Sequence, residues 1–426
     1  MGERSSRRVA PSVNIVGAVG YAATLTRRAE ILASEGLCNR GAIVIDPRHT
    51  EPGDYAQYVA ARRATGWTVF ETVGDLLADR SQRSATSDLL VLPVPIPLHR
   101  SMTEAALGAG FHVLCEKPAA GASEDLDAMA RAAVAADRSL WFGYQHPLSG
   151  SMSAMFDRVA GGDLGEIEAI VVYASWPRPE QYYTRSPWAG KLYLDDTAVL
   201  DSPMQNAMAH FLQAALQVAH LAGFRPTHVS ADHVRVNDIE TADTQVVRVA
   251  TADTTSREGP PIFLALTHSA HTEVDPVIHV VGARCSLRWS FPDTLEQRAA
   301  RSTWDTVWTG PPGEHIHGLA LRAALVNLGA ETDRSLRVEN LVDVAGARPH
   351  LRVVEAAFGA HARRRFPPPA VRPEHRNVIV RGPHVFREVI GLDEVIAHAI
   401  TTKRLLRESA PPWSEAVVQV SSRIGA

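Results

Sequence analysis

Three cysteines in 426 residues, Cys38, Cys115 and Cys285, are too few and too widely spaced for a disulfide framework or a CxxC metal site. That usage fits a reducing cytosol. The opening MGERSSRR runs straight into the strand-like VNIVG, without the apolar core of a secretory leader. No uninterrupted apolar run is long enough to span a bilayer, so the expected location is cytoplasmic with no membrane partner. Met1-Gly2 with Ser6 satisfies the bare myristoylation pattern, which is short and recurs by chance. The 43 Lys plus Arg against 47 Asp plus Glu leave a charge of -4 with no like-charged block, so nothing favours a nucleic-acid partner. Internal repeats and low-complexity tracts are also missing.

What the chain does contain is length beyond one hydrophobic core and a change of texture part-way along. From Val13 to about Gln145, short aliphatic runs (VNIVG, AIVID, DLLVLPVP, HVLCEKP, SLWFGYQ) alternate with Ala- and Leu-rich stretches of helical period. This reads as βαβ repetition and a parallel sheet covered on both faces. Beyond His146, a short helical segment from Met152 to Val159 leads into strand after strand: EIEAIVVYASW, THVSADHVRV, QVVRVAT, PIFLALTHSAH, VIHVVGA and CSLRWSF. Strands without intervening helices predict a mostly antiparallel open sheet. The expected fold is α/β plus α+β: a Rossmann domain over 9–146 and an α+β substrate and oligomerisation domain over 147–426. Within the latter, a tail from 367 follows the Pro-rich FPPPAVRP and carries one helix, Leu392 to Glu408.

In NIVGAVGYAATLTRRAEIL, Gly17, Gly20 and Ala22 stand in the turn between first strand and first helix, where backbone N–H groups can hold a pyrophosphate. Against the pattern GxGxxG/A, Gly17 is the first position and Ala22 the last, but the middle glycine is Val19. Tyr21 completes this turn. Asp46, closing AIVID, is placed to accept from a ribose 2′-hydroxyl and favours NAD. Arg48 can stack on adenine or pair a 2′-phosphate, which keeps NADP open.

The segment DLLVLPVPIPLHRSMTEAALGAGFHVLCEKPAAG puts Glu116-Lys117-Pro118 just after a buried strand, at the sheet edge where ligands bind. With Pro95, His99 and AGFHVLCEKP, it is similar to the glucose-fructose oxidoreductase and inositol dehydrogenase family (Gfo/Idh/MocA), whose Glu-Lys-Pro supplies an active-site lysine. The resemblance extends to GYQ (Gly143 to Gln145), YYTRSPWAG (Tyr182 to Gly190), LDSPMQNAMAHFL (Leu200 to Leu212), IETADT (Ile239 to Thr244) and Pro412-Trp413. It implies an NAD(P)-dependent enzyme acting on CH-OH groups of a small sugar or polyol, with Pro93, Pro95, His99, Glu116, Lys117 and Gln145 also at the cofactor. A lysine ammonium can hydrogen-bond the oxygen that changes charge during hydride transfer. The alternative for Lys117 is an ordinary loop lysine.

Asp201-Ser202-Pro203 predicts a helix start, with Ser202 as N-cap and Pro203 in the first turn. Projected as a helix, Met204, Met208, Phe211, Ala215 and Val218 share one face, and Asn206, His210, Gln213, Gln217 and His220 the other. A polar yet uncharged stripe suits a cavity or an interface. In most of the family the motif is Asp, three residues, then His; here Gln205 takes that place and cannot act as a base. His210 is the substitute, with Asp201 or Asn206 orienting it; its alternative is a histidine that bridges two structural elements.

His268 with His271, and His315 with His317, raise a metal reading, but strand spacing separates the first pair and no Cys or carboxylate completes a set. No metal is expected. Tyr182, Tyr183, Arg185 and Trp188 form either a wall over a polyol ring or core packing. Arg363 to Arg365 read as a solvated helix end. Besides the dehydrogenase, two further functions stay open: a redox-neutral enzyme with tightly held NAD (epimerisation or glycoside cleavage), and a non-catalytic scaffold that lost its dinucleotide site. An open sheet with a face to cover implies a homodimer or homotetramer.

Overall fold

Short apolar strands, among them the fully buried LLVL of Leu89–Leu92, build the first sheet of the computed structural model, which describes residues 10–49, 52–79, 88–299, 302–311, 314–330, 336–360 and 362–425. The myristoylation pattern at Met1, Gly2 and Ser6, the domain start at Val9 and the side chain of His315 lie outside the described residues. The chain divides into two units.

The first unit takes Met1–Ala119, Glu124–Leu148 and Gly313–Val344. Its sheet contains β1 (Ser12–Val16), β2 (Asn39–Val44), β3 (Thr68–Phe70), β4 (Leu89–Leu92), β5 (His112–Cys115) and β6 (Leu140–Phe142) in the order β3-β2-β1-β4-β5-β6. Every pairing is parallel. The order reverses between β1 and β4, the place where such sheets open a crevice at their carboxyl ends. Helices α1 (Tyr21–Ser34), α2 (Pro52–Ala64), α3 (Val73–Ala78), α4 (His99–Gly108) and α5 (Ser123–Ala136) connect the strands. Strand β3, three half-buried residues, is an addition to the sequence reading. So is the return of 313–344, expected in the second domain: Leu321, Ala324 and Leu325, on a helix over Leu319–Asn327, share one core with Leu25, Ile43 and Val91. Their apolar face finds its cover in this unit.

The second unit takes Ala120–Ser123, Ser149–Pro312 and Ala345–Ala426. It begins with α6 (Gly150–Ala160), capped by Ser149. Strand β7 (Ile167–Ser175) precedes α7 (Glu180–Thr184) and a small hairpin, β8 (Tyr193–Leu194) and β9 (Thr197–Ala198), before α8 (Ala209–Leu221). Then follow β10 (Arg225–Val234), β11 (Thr244–Ala252), β12 (Ile262–Thr267), β13 (Val274–Gly282), β14 (Cys285–Ser290), β15 (Thr294–Ala299) and β16 (Asp305–Thr309). The tail adds a hairpin, β17 (Arg376–Arg381) with β18 (His384–Val389), and β19 (Val418–Arg423). The nine-stranded sheet runs β16-β15-β14-β13-β7-β12-β11-β10-β19, with β7–β12 its one parallel pairing.

One large apolar cluster joins this sheet to α6 and α8, including Met155, Phe211, Leu264 and Trp289. A second packs the tail, with Trp413 and Leu406, against Val246 and Phe263. The helix expected from Leu392 to Glu408 is two helices, Leu392–Thr402 and Leu406–Ser409, because Lys403 takes φ 56° and a left-handed residue ends a helix. No helix among the described residues is long and apolar enough to cross a membrane.

Candidate functional site

The turn after β1 is shaped by two glycines in the left-handed half of φ space, Gly17 at 106° and Gly20 at 59°. A Cβ on Gly17 would stand 3.1 Å from the Ala22 Cβ, so small residues at both ends let strand and helix close up. Gly20 is the N-cap of α1 and makes no side-chain cap bond. A Cβ there would meet nothing within 4 Å. Val19 is 47% exposed. The permissive residue has thus moved one place along from the usual middle glycine, and the bare helix N-terminus is of the kind that holds a pyrophosphate.

Beyond β2, the Asp46 carboxylate receives the Arg48 fork, Nε to Oδ1 at 3.0 Å and Nη2 to Oδ2 at 2.6 Å, and also the Arg48 backbone N–H at 2.8 Å. The guanidinium is thereby tied to its own acid, which suits a ribose hydroxyl partner better than a 2′-phosphate. Pro93 and Pro95 follow β4, and the His99 imidazole, 1% exposed, meets the Val94 carbonyl at 2.8 Å. His99 braces this loop, and burial keeps its pKa below the ordinary value.

Glu116 and Lys117 leave the carboxyl end of β5, and the Lys117 N–H approaches Glu116 Oε2 at 3.2 Å. Burial, opposed by Lys117, raises the Glu116 carboxyl to about 7. Gly143, next to buried Tyr144 and Gln145, makes room for it: a Cβ there would stand 2.4 Å from Glu116 Oε1. Burial and Glu116 together lift the Tyr21 phenol well above its usual value. The Tyr21 hydroxyl lies 3.4 Å from His317 Nδ1, and His146 is driven down to about 3 by burial, His317 and Lys117. The place of His317 beside Tyr21 was not legible, because 313–344 rejoins this unit only in three dimensions.

In the second unit, three of the sequence motifs converge on Asp201. Its Oδ1 accepts from Asn206 Nδ2 at 2.8 Å and its Oδ2 from the Gly190 N–H at 2.6 Å, while its backbone carbonyl accepts from the Thr241 hydroxyl. Glu240 and Thr241 donate their N–H groups to the Gly190 carbonyl at 2.8 and 3.2 Å. Asp243 secures the IETADT loop by accepting from the backbone of Val236 and Asn237 and the hydroxyl of Ser269.

The helix expected at Pro203 begins only at Ala209, with Met208 as N-cap. Met204 N–H, which a Ser202 cap would bind, goes instead to Gln245 Oε1 of β11 at 3.1 Å, and Met208 N–H closes a wider turn on Pro203 O at 2.8 Å. Ser202 Oγ caps nothing. The apolar face holds: Met204, Met208, Phe211, Ala215 and Val218 are all 0% exposed. On the polar side, His210 is buried and set edge-on to Phe211, Gln213 donates to Gly346 O, and His220 reaches solvent. Gln205 is fully buried between Ala120 O and His350.

Lys117 thus belongs to the first unit, and Asp201, Asn206 and His210 to the second. Of the histidines considered for a metal, His268 is buried against Tyr183 and His271 pairs with Glu388. Among the described residues no group of His, Cys, Asp or Glu is placed to hold a metal ion.

Residues 12–144 match the GFO_IDH_MocA family, described as an oxidoreductase family with an NAD-binding Rossmann fold. The 1,5-anhydro-D-fructose reductase of Ensifer adhaerens is 33% identical over 162 residues, 37% of this chain and 45% of that protein. The chain therefore spans less than half of that curated relative. The WlbA dehydrogenase of Bordetella pertussis, solved with NADH and UDP-GlcNAcA, is similar at TM-score 0.61 and 21% identity, covering 80% of this chain and 94% of that one. An inositol dehydrogenase homolog from Azotobacter vinelandii, solved with NADH and myo-inositol, gives TM-score 0.61 at 16% identity, covering 82% and 94%. Residues 12–144 thus match the model of an oxidoreductase family with an NAD-binding Rossmann fold, and the parallel sheet of the first unit is that fold.

Proposed function

We propose that this protein is an NAD-dependent oxidoreductase that moves a hydride between nicotinamide and a carbinol carbon of a sugar, sugar derivative or cyclitol. The observation that carries the reading is Lys117 beside half-buried Glu116 at the carboxyl end of β5, in the same unit as the Gly17 to Ala22 turn. The turn, with Tyr21 above it, would hold the pyrophosphate, and Asp46 the adenosine ribose. When bound, nicotinamide supplies the hydride acceptor or donor. Lys117 of the first unit is assigned the hydrogen bond to a carbinol oxygen, and His210 of the second the exchange of a substrate proton. Within the second unit Asp201, fixed by Gly190, and Asn206 are assigned the orienting of His210.

Three free, buried cysteines support a cytoplasmic location. The outer strand β16, exposed throughout, supports association into a homodimer or homotetramer. The test titrates purified protein with NADH and NADPH by nicotinamide fluorescence, then follows NAD reduction across a panel of sugars, acidic sugars and cyclitols. Saturable NADH binding and a turnover lost on Lys117→Met and His210→Ala are expected. Full turnover in either variant overturns the assigned roles.

A further inference from the structure

Two guanidinium groups approach the Tyr182 ring. Arg178, just beyond β7, lies 5.3 Å from its centroid and 5.5 Å from that of Trp176. Arg185, just beyond α7, lies 3.7 Å from Tyr182 and 4.9 Å from Trp188. The backbone sets this up: Arg178 N–H binds His268 O at 3.0 Å, and the Arg185 side chain donates to Tyr182 O.

Other arginines of this fold are tied to acids, as Arg62 is to Glu30 and Arg288 to Glu296. Among the described residues neither Arg178 nor Arg185 has a carboxylate partner, and Arg178 Nε is buried without any hydrogen bond. The nearby acids that act on these tyrosines, Asp201 and Asp243, are already engaged by Gly190, Asn206, Asn237 and Ser269. Beside them His268 is 3% exposed. Tyr183 Oη lies 3.2 Å from His268 Nδ1, and His268 Nε2 is buried without a hydrogen-bond partner; with the hydroxyl donating to Nδ1, Nε2 carries the imidazole proton. Burial and the two arginines keep this histidine neutral.

A guanidinium stacked by its face keeps its N–H edge available in the ring plane, the geometry that grips an oxyacid group bidentately. Two guanidinium groups without a carboxylate partner and a buried imidazole nitrogen without a hydrogen bond form a donor set that an oxyacid group would complete. We infer that Arg178, Arg185 and His268 Nε2–H form an anion subsite, and that the substrate is a sugar bearing a carboxylate or phosphoryl group. The inference rests on the reading that the second unit binds the substrate.

Calorimetric titration of the full chain with D-glucuronate, D-glucose 6-phosphate and D-glucose tests it. One or both acids should bind at least 10-fold more tightly than D-glucose, and Arg178→Met and Arg185→Met should each weaken that binding at least 10-fold. Arg185 is exposed, so its variant keeps the fold even if the Arg178 variant does not. Tight binding of glucuronate alone assigns a carboxylate, and of the phosphate ester alone a phosphoryl group. Equal affinity for D-glucose, acid binding unchanged in the Arg185 variant, or no binding of either acid overturns the subsite. A wild type that binds the acids but not NADH overturns the proposed reaction and leaves the subsite standing.

Discussion

Gly190 and Asp201, eleven positions apart, are joined by a 2.6 Å bond from the glycine N–H to the carboxylate, and the glycine carbonyl returns to Glu240 and Thr241. Gly190 takes φ 69°, and a Cβ there would stand 2.5 Å from Ile239 Cγ2. Gly190→Ala therefore combines left-handed strain with overpacking, a loss of about 2–4 kcal/mol. Urea unfolding should show a lower midpoint with an unchanged slope. If the midpoint stays put, this junction is not what holds Asp201.

Coenzyme choice should turn on Asp46 and Arg48. Removing the carboxylate costs a charge-assisted hydrogen bond to ribose, about 1.5–3 kcal/mol, or roughly 10- to 100-fold in NADH affinity. It also frees the Arg48 fork now bound to Asp46. Asp46→Ala should raise the NADPH to NADH affinity ratio by at least that factor in fluorescence titrations. An unchanged ratio would mean that the pair lies away from the ribose.

Much of this architecture could be read in the sequence because its signals are local. The buried runs of β1, β2, β4 and β5 and the alternation in β10 need only near neighbours to be recognised. Strands β15 and β16 escaped because TLEQRA is mostly polar and half-buried, and DTVWT is exposed throughout. The pairing of β19 with β10 joins residues nearly two hundred positions apart, which no window of the sequence can reveal. The same holds at the site. Lys117, Asp201 and His210 were legible as residue types in motifs, whereas the late start of α8 follows from Gln245 of β11 taking the Met204 N–H. Propensity favoured Ser202, and a tertiary bond overrode it.

Glu116 gives the protein a pH signature. Its folded value of about 7 stands above the ordinary 4.5, so between these values the folded state keeps a proton that the unfolded state has released. The stability it contributes is full below the unfolded value and is lost as pH rises through the folded one. Against Glu116→Gln, which stays neutral, wild type should lose ground steadily in urea midpoints from pH 4.5 to 8. Parallel curves would show that this carboxyl titrates normally.

Gly143→Ala attacks the same carboxyl without altering it. The added methyl would stand 2.4 Å from Glu116 Oε1, the far end of a flexible side chain, so the carboxyl can swing away at modest cost. Overpacking of this kind costs about 1–3 kcal/mol, too little to unfold most domains. The displaced Glu116 would be less buried, and its pKa should fall toward the ordinary range. A pH profile of kcat/KM should then lose any ionisation near 7 while the protein stays folded, the same change that Glu116→Gln produces by removing the charge. If the glycine variant keeps the wild-type profile, Glu116 stays where it is and Gly143 is not what makes room for it.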